Sequence, residues 1–434
     1  MDVIFSMDNI SIFWFRRDLR LEDNVGLFHA LSEESSVLPI FIFDSDIIDE
    51  LPSDDPRVQF IYQNLQKINT LLKEYNSGLK VYKGKPLNVW KEILEEYDVS
   101  AVFTNRDYEP YAQQRDSEIA DLLKSKDVEF KSYKDQVIYE KDEVTKDDGL
   151  PYTVYTPFKN KWLSHFNPEQ HLPVASESLT NFYKWNSQFP SQSDLGFETS
   201  NRKVKPFTLR EVENYEELRN FPATDGTSYL SPHLRFGTIG IRQLVASVRT
   251  KSDVFLSELI WREFFMQILY HFPRVLTENF KTKYDGIEWR NNKEEFEKWC
   301  NGETGYPMVD AGMRELKSTG YMHNRVRMVV ASFLCKHLLI DWRWGEAYFA
   351  KKLLDYEASS NNGNWQWAAG TGCDASPYFR VFNPHQQLKK FDKDLDYVRK
   401  WVPEYFSFGY VPVVVEHKFA RERCLERYKA GINA

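Results

Sequence analysis

The sequence predicts an N-terminal Rossmann-like α/β domain with a parallel sheet, a long connector, and a C-terminal domain built of helices. Short apolar runs alternate with helix-length stretches up to about residue 130, which is typical of βαβ units. Polar residues dominate the next stretch, and a helical period of apolar residues prevails from about residue 206 onward. We therefore place the domain boundaries at 8–130, 131–205 and 206–434.

The strands of the first domain follow from its apolar runs. We expect strands over 12–15, 37–43, 79–82 and 101–103, and a helix over 57–75 between the second and third of these runs. No GxGxxG follows the first run, so a standard dinucleotide-binding fingerprint is absent. The fold is therefore expected without the nucleotide site that often accompanies it.

Residue composition predicts the connector, and the spacing of apolar residues predicts the helices that follow it. Pro, Ser, Asn and Gln cluster from 181 to 200, so we expect 131–205 to lie over the surface. Helical periods run over 257–272, which Pro273 stops, then over 320–340 and over 343–354. The C-terminal part therefore reads as almost wholly helical.

Charge is divided unevenly along the chain. The net charge is −8 overall; residues 1–200 hold 21 basic and 35 acidic residues, which leaves 35 basic and 29 acidic residues, a net of +6, for 201–434. A polyanion site is therefore expected wholly within 201–434, although a solvated basic face would give the same count.

Several classes of protein are disfavoured by composition. The four cysteines, Cys300, Cys335, Cys373 and Cys424, form no CxxC pair, which argues against a disulfide scaffold or a compact metal motif and favours reduced thiols. No apolar run reaches the roughly 20 residues of a membrane span, and 1–7 is too short and acidic for a signal peptide. We expect a soluble, cytoplasmic protein with no metal and no membrane partner.

The stretch 355–384 is too polar to be plain core. Its acids include Asp355 and Glu357, its amides include Asn361, Asn362 and Asn364, its indoles are Trp365 and Trp367, and its glycines are Gly363, Gly370 and Gly372. Glycines let backbone approach a flat ligand, amides and acids supply fixed hydrogen-bonding groups, and indoles supply flat walls. A pocket for a large aromatic cofactor and a Gly/Asn loop before an ordinary buried helix fit this composition equally well.

Two runs within this stretch carry a family resemblance. Residues 361–372, Asn-Asn-Gly-Asn-Trp-Gln-Trp-Ala-Ala-Gly-Thr-Gly, and 377–384, Pro-Tyr-Phe-Arg-Val-Phe-Asn-Pro, resemble the flavin-pocket signature of the photolyase/cryptochrome family. Residues 14–24 resemble the opening of its antenna domain, and 157–162 also look family-like. Closest are the bacterial class I enzymes, so the resemblance implies light-driven repair of cyclobutane pyrimidine dimers by electron transfer from excited reduced FAD to a flipped-out dimer in damaged double- or single-stranded DNA.

The FAD site rests on both residues and resemblance. Residues 227–231 place hydroxyls before a Ser-Pro helix start, with Ser231 as the N-cap, which suits a phosphate but also simple capping. By resemblance, Arg327 pairs with Asp355 beside the flavin ring and Asn361 faces flavin N5. The side chains that the resemblance assigns to FAD are Tyr215, Thr227, Ser228, Tyr229, Leu230, Ser231, Arg327, Asp355, Tyr356, Glu357 and Asn361.

The dimer site is expected on two helices. Glu258, Trp261 and Arg262 fall on one helix face, which from sequence alone could equally be a core indole beside a surface ion pair. The resemblance gives Trp261 the wall of the dimer cavity, Glu258 its base edge and Arg262 a phosphate. The side chains implied to contact DNA or dimer are Arg219, Glu258, Trp261, Arg262, Asn324, Arg325, Met328, Trp367, Arg380 and Gln387.

The same residues separate the lesion classes of the family. Enzymes for (6-4) photoproducts resemble His-His-Leu-Ala-Arg-His here, whereas this chain has Asn324 and Met328 at the two positions concerned. The departure favours the cyclobutane dimer. A cryptochrome-type photoreceptor, a (6-4) enzyme and a plain flavin oxidoreductase stay as alternatives in that order.

Three tryptophans complete the predicted catalytic set. Trp365, Trp342 and Trp289 fall where the family carries electrons to an oxidised flavin, although each taken singly fits core packing. With Glu258, Asn324 and Asn361 they form the residues implied in catalysis. Some members of the family hold a second antenna chromophore of folate or deazaflavin type; Ala112 stands where some folate-binding members carry a glutamate, which disfavours a folate here. We expect a monomer in the cytoplasm that is associated with the bacterial nucleoid when it is bound to DNA.

Overall fold

A computed structural model describes residues 9–186 and 188–433 of the chain. The predictions that concern residues 1–8, including the domain start at position 8, and the last residue, 434, lie outside these ranges. Along the described part of the chain, no helix is both long enough and apolar enough to cross a membrane.

The chain divides into two units that are interleaved in sequence. The first joins the chain up to Glu140 with His165–Pro206 and Leu230–Thr250; the second joins Lys141–Ser164 and Phe207–Tyr229 with the chain from Lys251 onward. The first unit therefore extends past the boundary predicted at 130, and part of the expected connector folds with each unit. The segment Leu230–Thr250, which lies beyond the boundary predicted at 205, folds with the first unit. That 206–434 forms one catalytic domain stays a prediction.

The first unit is built on a five-stranded parallel sheet. Its strands are β1 (Ile10–Phe15), β2 (Val37–Asp44), β3 (Lys80–Gly84), β4 (Val99–Asn105) and β5 (Glu129–Tyr133), in the order β3-β2-β1-β4-β5. The four apolar runs therefore lie in or beside β1 to β4, and the predicted α/β class is confirmed. We missed β5 because its sequence, Glu-Phe-Lys-Ser-Tyr, is polar and none of its residues is fully buried.

Side chains of β1 build a core on each face of this sheet. Ile10, Ile12 and Trp14 enter one apolar cluster, and Phe13 and Phe15 enter another. Successive residues of a strand point to opposite faces, so a continuous apolar run is what a sheet covered on both faces requires.

The two units together contain the following α-helices, given in chain order. They are α1 (Val25–Leu31), α2 (Ser45–Ile48), α3 (Pro56–Leu72), α4 (Pro86–Glu96), α5 (Pro110–Lys124), α6 (Tyr155–His165), α7 (Tyr215–Leu218), α8 (Ser231–Arg235), α9 (Ile241–Val248), α10 (Asp253–His271), α11 (Lys293–Asn301), α12 (Pro307–Thr319), α13 (Asn324–Ser332), α14 (Trp342–Lys352), α15 (Ala358–Ala369), α16 (Pro384–Phe391), α17 (Asp396–Trp401) and α18 (His417–Ile432). A π-helical segment, Phe333–Leu338, continues α13.

The helical second unit confirms the predicted class of the C-terminal part. The periods predicted over 257–272 and 343–354 lie in α10 and α14, and the period over 320–340 covers α13 with its π-helical extension. Its main core gathers buried side chains of α12, α13, α14 and α15. Of these four helices, α13, α14 and α15 also carry residues of the candidate site, to which α10 contributes as well.

Candidate functional site

The polar stretch 355–384 contains a full helix, α15, and two glycines seat it against its neighbours. A Cβ atom on Gly363 would lie 2.2 Å from the ring of Phe265 on α10, and one on Gly345 of α14 would lie 2.1 Å from the ring of Trp365 on α15. Only glycine allows helices to approach this closely. The helix ends at Gly370, whose φ is +92°, a left-handed value that glycine adopts without strain.

Arg327 and Asp355 meet, as the resemblance implied. Arg327 Nη2 donates to Asp355 Oδ2 at 2.9 Å, and Arg327 Nε donates to the carbonyl of Met322 at 2.8 Å. The Asp355 side chain is 6% exposed and that of Arg327 is 27% exposed. The pair therefore holds a guanidinium in a fixed place at the start of α15.

Asn361 is oriented by a residue that we did not predict. Its Nδ2 donates to Glu346 Oε1 at 2.7 Å and to the Glu346 carbonyl at 3.2 Å, which uses both amide hydrogens and leaves Oδ1 to face a different partner. Burial raises the pKa of the Glu346 carboxyl, and the hydrogen bond from Asn361 opposes that rise. Glu346 precedes Asn361 by 15 positions, and no sequence pattern pairs them.

The residues predicted for the dimer cavity lie together on α10 and pair with neighbouring segments. Glu258 forms an ion pair with Arg219 at 2.7 Å, so two predicted DNA contacts bind each other in the free protein. Arg262 pairs with Glu357 at 3.3 Å, and Glu357 Oε2 accepts from Ser360 at 3.0 Å. Arg262, predicted for a phosphate, and Glu357, predicted for FAD, therefore lie side by side.

The beginning of α13 carries a dense positive charge. His323 caps this helix by accepting from the Arg325 backbone N–H at 3.1 Å. Arg325 donates to Asn220 Oδ1 at 2.6 Å, and its guanidinium lies 4.4 Å from the ring centroid of Phe391. Burial, then the charges of Arg325, Arg327 and Arg219, lowers the pKa of His323 to about 4, so this histidine is neutral near pH 7.

The remaining predicted DNA contacts differ in exposure. Asn324 and Arg380 are exposed, whereas Met328, Trp367 and Gln387 are half-buried. The side-chain oxygen of Gln387 is buried with no hydrogen-bond partner among the described residues. A half-buried amide of this kind is available to a ligand.

The three predicted tryptophans occupy different environments. Trp365 and Trp342 are 2% and 0% exposed, and Trp289 is half-buried. Trp365 makes ring contacts with Phe349 and Trp299, at centroid distances of 5.0 and 6.1 Å, and Trp289 meets Tyr428 at 5.9 Å. Within the described ranges no ring contact joins the three to one another, so their role as an electron path stays a prediction.

The predicted phosphate segment differs from expectation at its helix start. The N-cap of α8 is Leu230, which already has helical dihedral angles, so our prediction of Ser231 as the N-cap is wrong by one residue. Tyr229 has a φ of +53° and its hydroxyl donates to Asp225 at 2.6 Å. Thr227, Ser228 and Tyr229 belong to the second unit, and Leu230 and Ser231 to the first.

Tyr215 lies close to α10, the helix predicted to contact the dimer, in the second unit. Its ring meets Phe255 of α10 edge-on at 4.9 Å, and the guanidinium of Arg219 lies 5.2 Å from its centroid. Tyr356, next to Asp355, is half-buried and packs against the main helical core. Tyr215 therefore contacts α10, and Tyr356 lies just before α15.

The hydrogen-bonding groups of the second unit fit a flavin. A guanidinium, an amide oxygen and a buried hydroxyl, that of Ser359, come from the region around α15, and the Ser359 hydroxyl has no hydrogen-bond partner among the described residues. Flavins combine a flat ring with carbonyl and N–H edges, which such groups can pair with. No group of three or more His, Cys, Asp or Glu side chains in 9–186 and 188–433 is arranged to hold a metal ion.

Comparison with known proteins gives one consistent result. Residues 11–177 match the family model described as DNA photolyase, and residues 255–409 match the model described as the FAD binding domain of DNA photolyase. A curated relative from Synechococcus sp., named deoxyribodipyrimidine photo-lyase, is 36% identical over 91% of this chain and 87% of its own length.

Two solved structures resemble the chain over nearly its whole length. A bacterial class III photolyase from Agrobacterium tumefaciens aligns with a TM-score of 0.87 and 33% identity over 100% of both chains. An archaeal photolyase from Sulfolobus tokodaii, described with two FAD molecules, aligns with a TM-score of 0.86 and 36% identity over 96% of this chain and 99% of its own.

Proposed function

The chain belongs to the photolyase/cryptochrome family, and from that premise we propose that it repairs cyclobutane pyrimidine dimers in DNA, using light and reduced FAD. It is an enzyme of the deoxyribodipyrimidine photo-lyase class, as its curated relatives are named. The choice of the cyclobutane dimer over the (6-4) photoproduct rests on Asn324 and Met328, neither of which can act as the acid that a histidine would supply.

One observation carries this proposal. Arg262 of the predicted dimer helix α10 pairs with Glu357 immediately before the predicted flavin helix α15, and Gly363 seats the same two helices against each other through Phe265. These contacts support the proposal that the two predicted sites are neighbours within the second unit. Adjacent donor and acceptor sites are what electron transfer from cofactor to substrate requires.

The residues of the chain have distinct tasks in this proposal. Reduced FAD, when bound, supplies the electron after it absorbs light. Arg327 places positive charge beside the ring and favours its anionic form, and Glu346 holds Asn361 with its carbonyl oxygen toward the flavin. Asp355 in turn keeps the guanidinium in position.

Binding of the lesion uses the other half of the site. Arg219, Arg325 and Arg380 contact phosphates and so position the strand. These contacts do not depend on the base sequence. A dimer is poorly stacked and flips out at reduced cost, and Trp261 then stacks on it while Glu258 accepts from its base edge. Because Arg219 and Glu258 are paired in the free protein, arrival of a phosphate at Arg219 releases Glu258 for the base.

A second chromophore belongs to the first unit in this proposal. Ala112 lies buried in α5 at 4% exposure and offers no carboxylate, which disfavours a folate and leaves a deazaflavin or a second flavin. The Sulfolobus relative with two FAD molecules supports the latter type. An absorption spectrum of the purified protein tests this, since an extra band beside those of one flavin would reveal the second chromophore.

We further propose that the enzyme works as a monomer in the cytoplasm, where it meets damaged double- or single-stranded DNA. The experiment that tests the function is direct. Protein reduced with dithionite is mixed with an oligonucleotide that holds one thymine dimer, and restored thymines are counted in blue light and in darkness, with a (6-4) oligonucleotide as control. Light-dependent repair of the dimer alone is expected; flavin binding without any repair would instead favour a photoreceptor.

A further inference from the structure

Tyr155 lies in a segment that the sequence presents as connector, yet it packs on the predicted dimer helix. The segment Lys141–Ser164 folds with the second unit, and side chains of α6 contact side chains of α10. Phe158 packs on Phe264 with ring centroids 5.3 Å apart, and Trp162 Nε1 donates to Glu263 at 2.7 Å. These contacts make α6 a fixed support rather than a surface loop.

The ring of Tyr155 covers one face of Trp261. The two ring centroids are 3.6 Å apart with an interplanar angle of 9°, which is a parallel stack, and Tyr155 is 6% exposed. Phe264 and Phe265 surround the same indole at 5.7 and 5.4 Å with their rings turned by 80° and 31°. A flat ligand can therefore stack on Trp261 only from the side opposite Tyr155.

Tyr155 is anchored at both of its ends. Its hydroxyl donates to the Ser257 carbonyl at 2.7 Å and lies 2.6 Å from the Ser257 hydroxyl, and its backbone N–H donates to Asp374 at 2.9 Å. Burial raises the pKa of the phenol, so it stays a protonated donor. Ser257 directly precedes Glu258, so the hydroxyl is tied to the turn that carries the predicted base-edge contact.

We propose that Tyr155 is a positioning residue for lesion recognition, because it fixes the plane of Trp261 and its relation to Glu258. The inference rests on the proposed function, since it needs Trp261 to be the wall of the dimer cavity. A half-buried indole supported on one face presents the other face without losing rotational freedom when a base arrives. Through one side chain, the stacking face and the base-edge acceptor keep a constant separation.

Three variants of the whole protein test this role. Tyr155→Leu removes the flat ring, Tyr155→Phe keeps the ring and removes only the hydroxyl, and Phe158→Leu is the matched control, because Phe158 is 1% exposed on the same helix but packs on Phe264. Binding to an oligonucleotide with one thymine dimer and to its undamaged counterpart is measured for each variant. The readout is the dissociation constant for undamaged DNA divided by the dissociation constant for dimer-containing DNA.

We expect Tyr155→Leu to lower this ratio about two- to tenfold, which corresponds to the loss of one aromatic pair, while affinity for undamaged DNA is unchanged. Tyr155→Phe should lose less, and Phe158→Leu should keep the ratio while lowering Tm. Near-ultraviolet circular dichroism of the DNA-free protein should change for Tyr155→Leu, since the stacked pair is gone. If Tyr155→Leu does not fold, Tyr155→Met fills the space without a flat ring and is judged on the same ratio.

Two results would overturn the proposal. An unchanged ratio in Tyr155→Leu, or equal losses in Tyr155→Leu and Phe158→Leu, would show that Tyr155 only stabilises the fold. If the unmodified protein showed no preference for dimer-containing DNA, the proposed function itself would fail, and this inference with it.

Discussion

Replacing Trp342 with phenylalanine should block photoreduction of oxidised FAD and leave dimer repair nearly intact once the flavin has been reduced with dithionite. Trp342 is 0% exposed, and its Nε1 donates to Asn279 Oδ1 at 2.9 Å. Phenylalanine cannot make that hydrogen bond, so a buried acceptor is left unpaired, which costs about 1–3 kcal/mol. A protein stabilised by about 5–15 kcal/mol stays folded after such a loss.

The effect on electron transfer should be much larger than the effect on stability. A phenyl ring is far harder to oxidise than an indole, and an added barrier of only about 1.4 kcal/mol slows a step tenfold. We therefore expect photoreduction to fall at least about tenfold, measured by the loss of flavin absorbance in blue light with an external reductant. Repair needs only flavin and dimer, so its yield per absorbed photon should hold.

Trp299 offers a closely matched control for this experiment. It is also 0% exposed, its Nε1 donates to the Val330 carbonyl at 3.1 Å, and its ring contacts Trp365 at 6.1 Å. Trp299→Phe should cost similar stability and leave photoreduction intact, because Trp299 is not in the predicted path. Equal loss of photoreduction and repair in Trp342→Phe would refute the reasoning, as would photoreduction lost in Trp299→Phe but kept in Trp342→Phe.

Three further predictions concern charged groups of the second unit. Glu258→Ala should cost only about 0.2–1 kcal/mol in stability, since its ion pair with Arg219 is partly exposed, but should lower the repair yield per photon more than Glu258→Gln does; an unchanged yield would remove Glu258 from the cavity. Arg325→Ala should weaken binding to DNA of any sequence and reduce the slope of log affinity against log salt by about 1, and an unchanged slope would exclude a phosphate contact. Glu346 has a raised pKa in the folded protein, so its contribution to stability is present below its unfolded value of 4.5 and is lost as pH rises through the folded value. Glu346→Gln should therefore raise Tm relative to the unmodified protein more at pH 7 than at pH 4.5, and thermal melts that shift equally at both would contradict the burial of that charge.

The element types of this protein were largely readable from sequence. The runs around Phe13, Phe41 and Phe103 predicted strands because a strand buried on both faces must be apolar throughout, which is a local property. The failure at β5 has the same origin, since an edge strand with a polar sequence carries no such signal. The helix α15 was not evident within 355–384, because Gly363 and the asparagines beside it favour loops and only packing against α10 and α14 makes the segment helical.

The site residues themselves could be predicted from the sequence, whereas most of their contacts could not. The sequence by itself determined which chemical groups are present, through motifs such as 361–372, and which of them share a helix face, as Glu258 and Arg262 do, because spacing along a helix sets its faces. It also indicated the pair Arg327 and Asp355, although only by resemblance.

The tertiary structure alone decided which side chains meet across long separations in the chain. Glu346 reaches Asn361 because α14 packs on α15, and Tyr155 reaches Trp261, 106 positions later, because a segment that looks like a linker folds against α10. Periodicity and composition describe each element by itself. The contacts between elements depend on how their surfaces fit. The glycines at 345 and 363 permit that fit, but the sequence does not show which residues they contact.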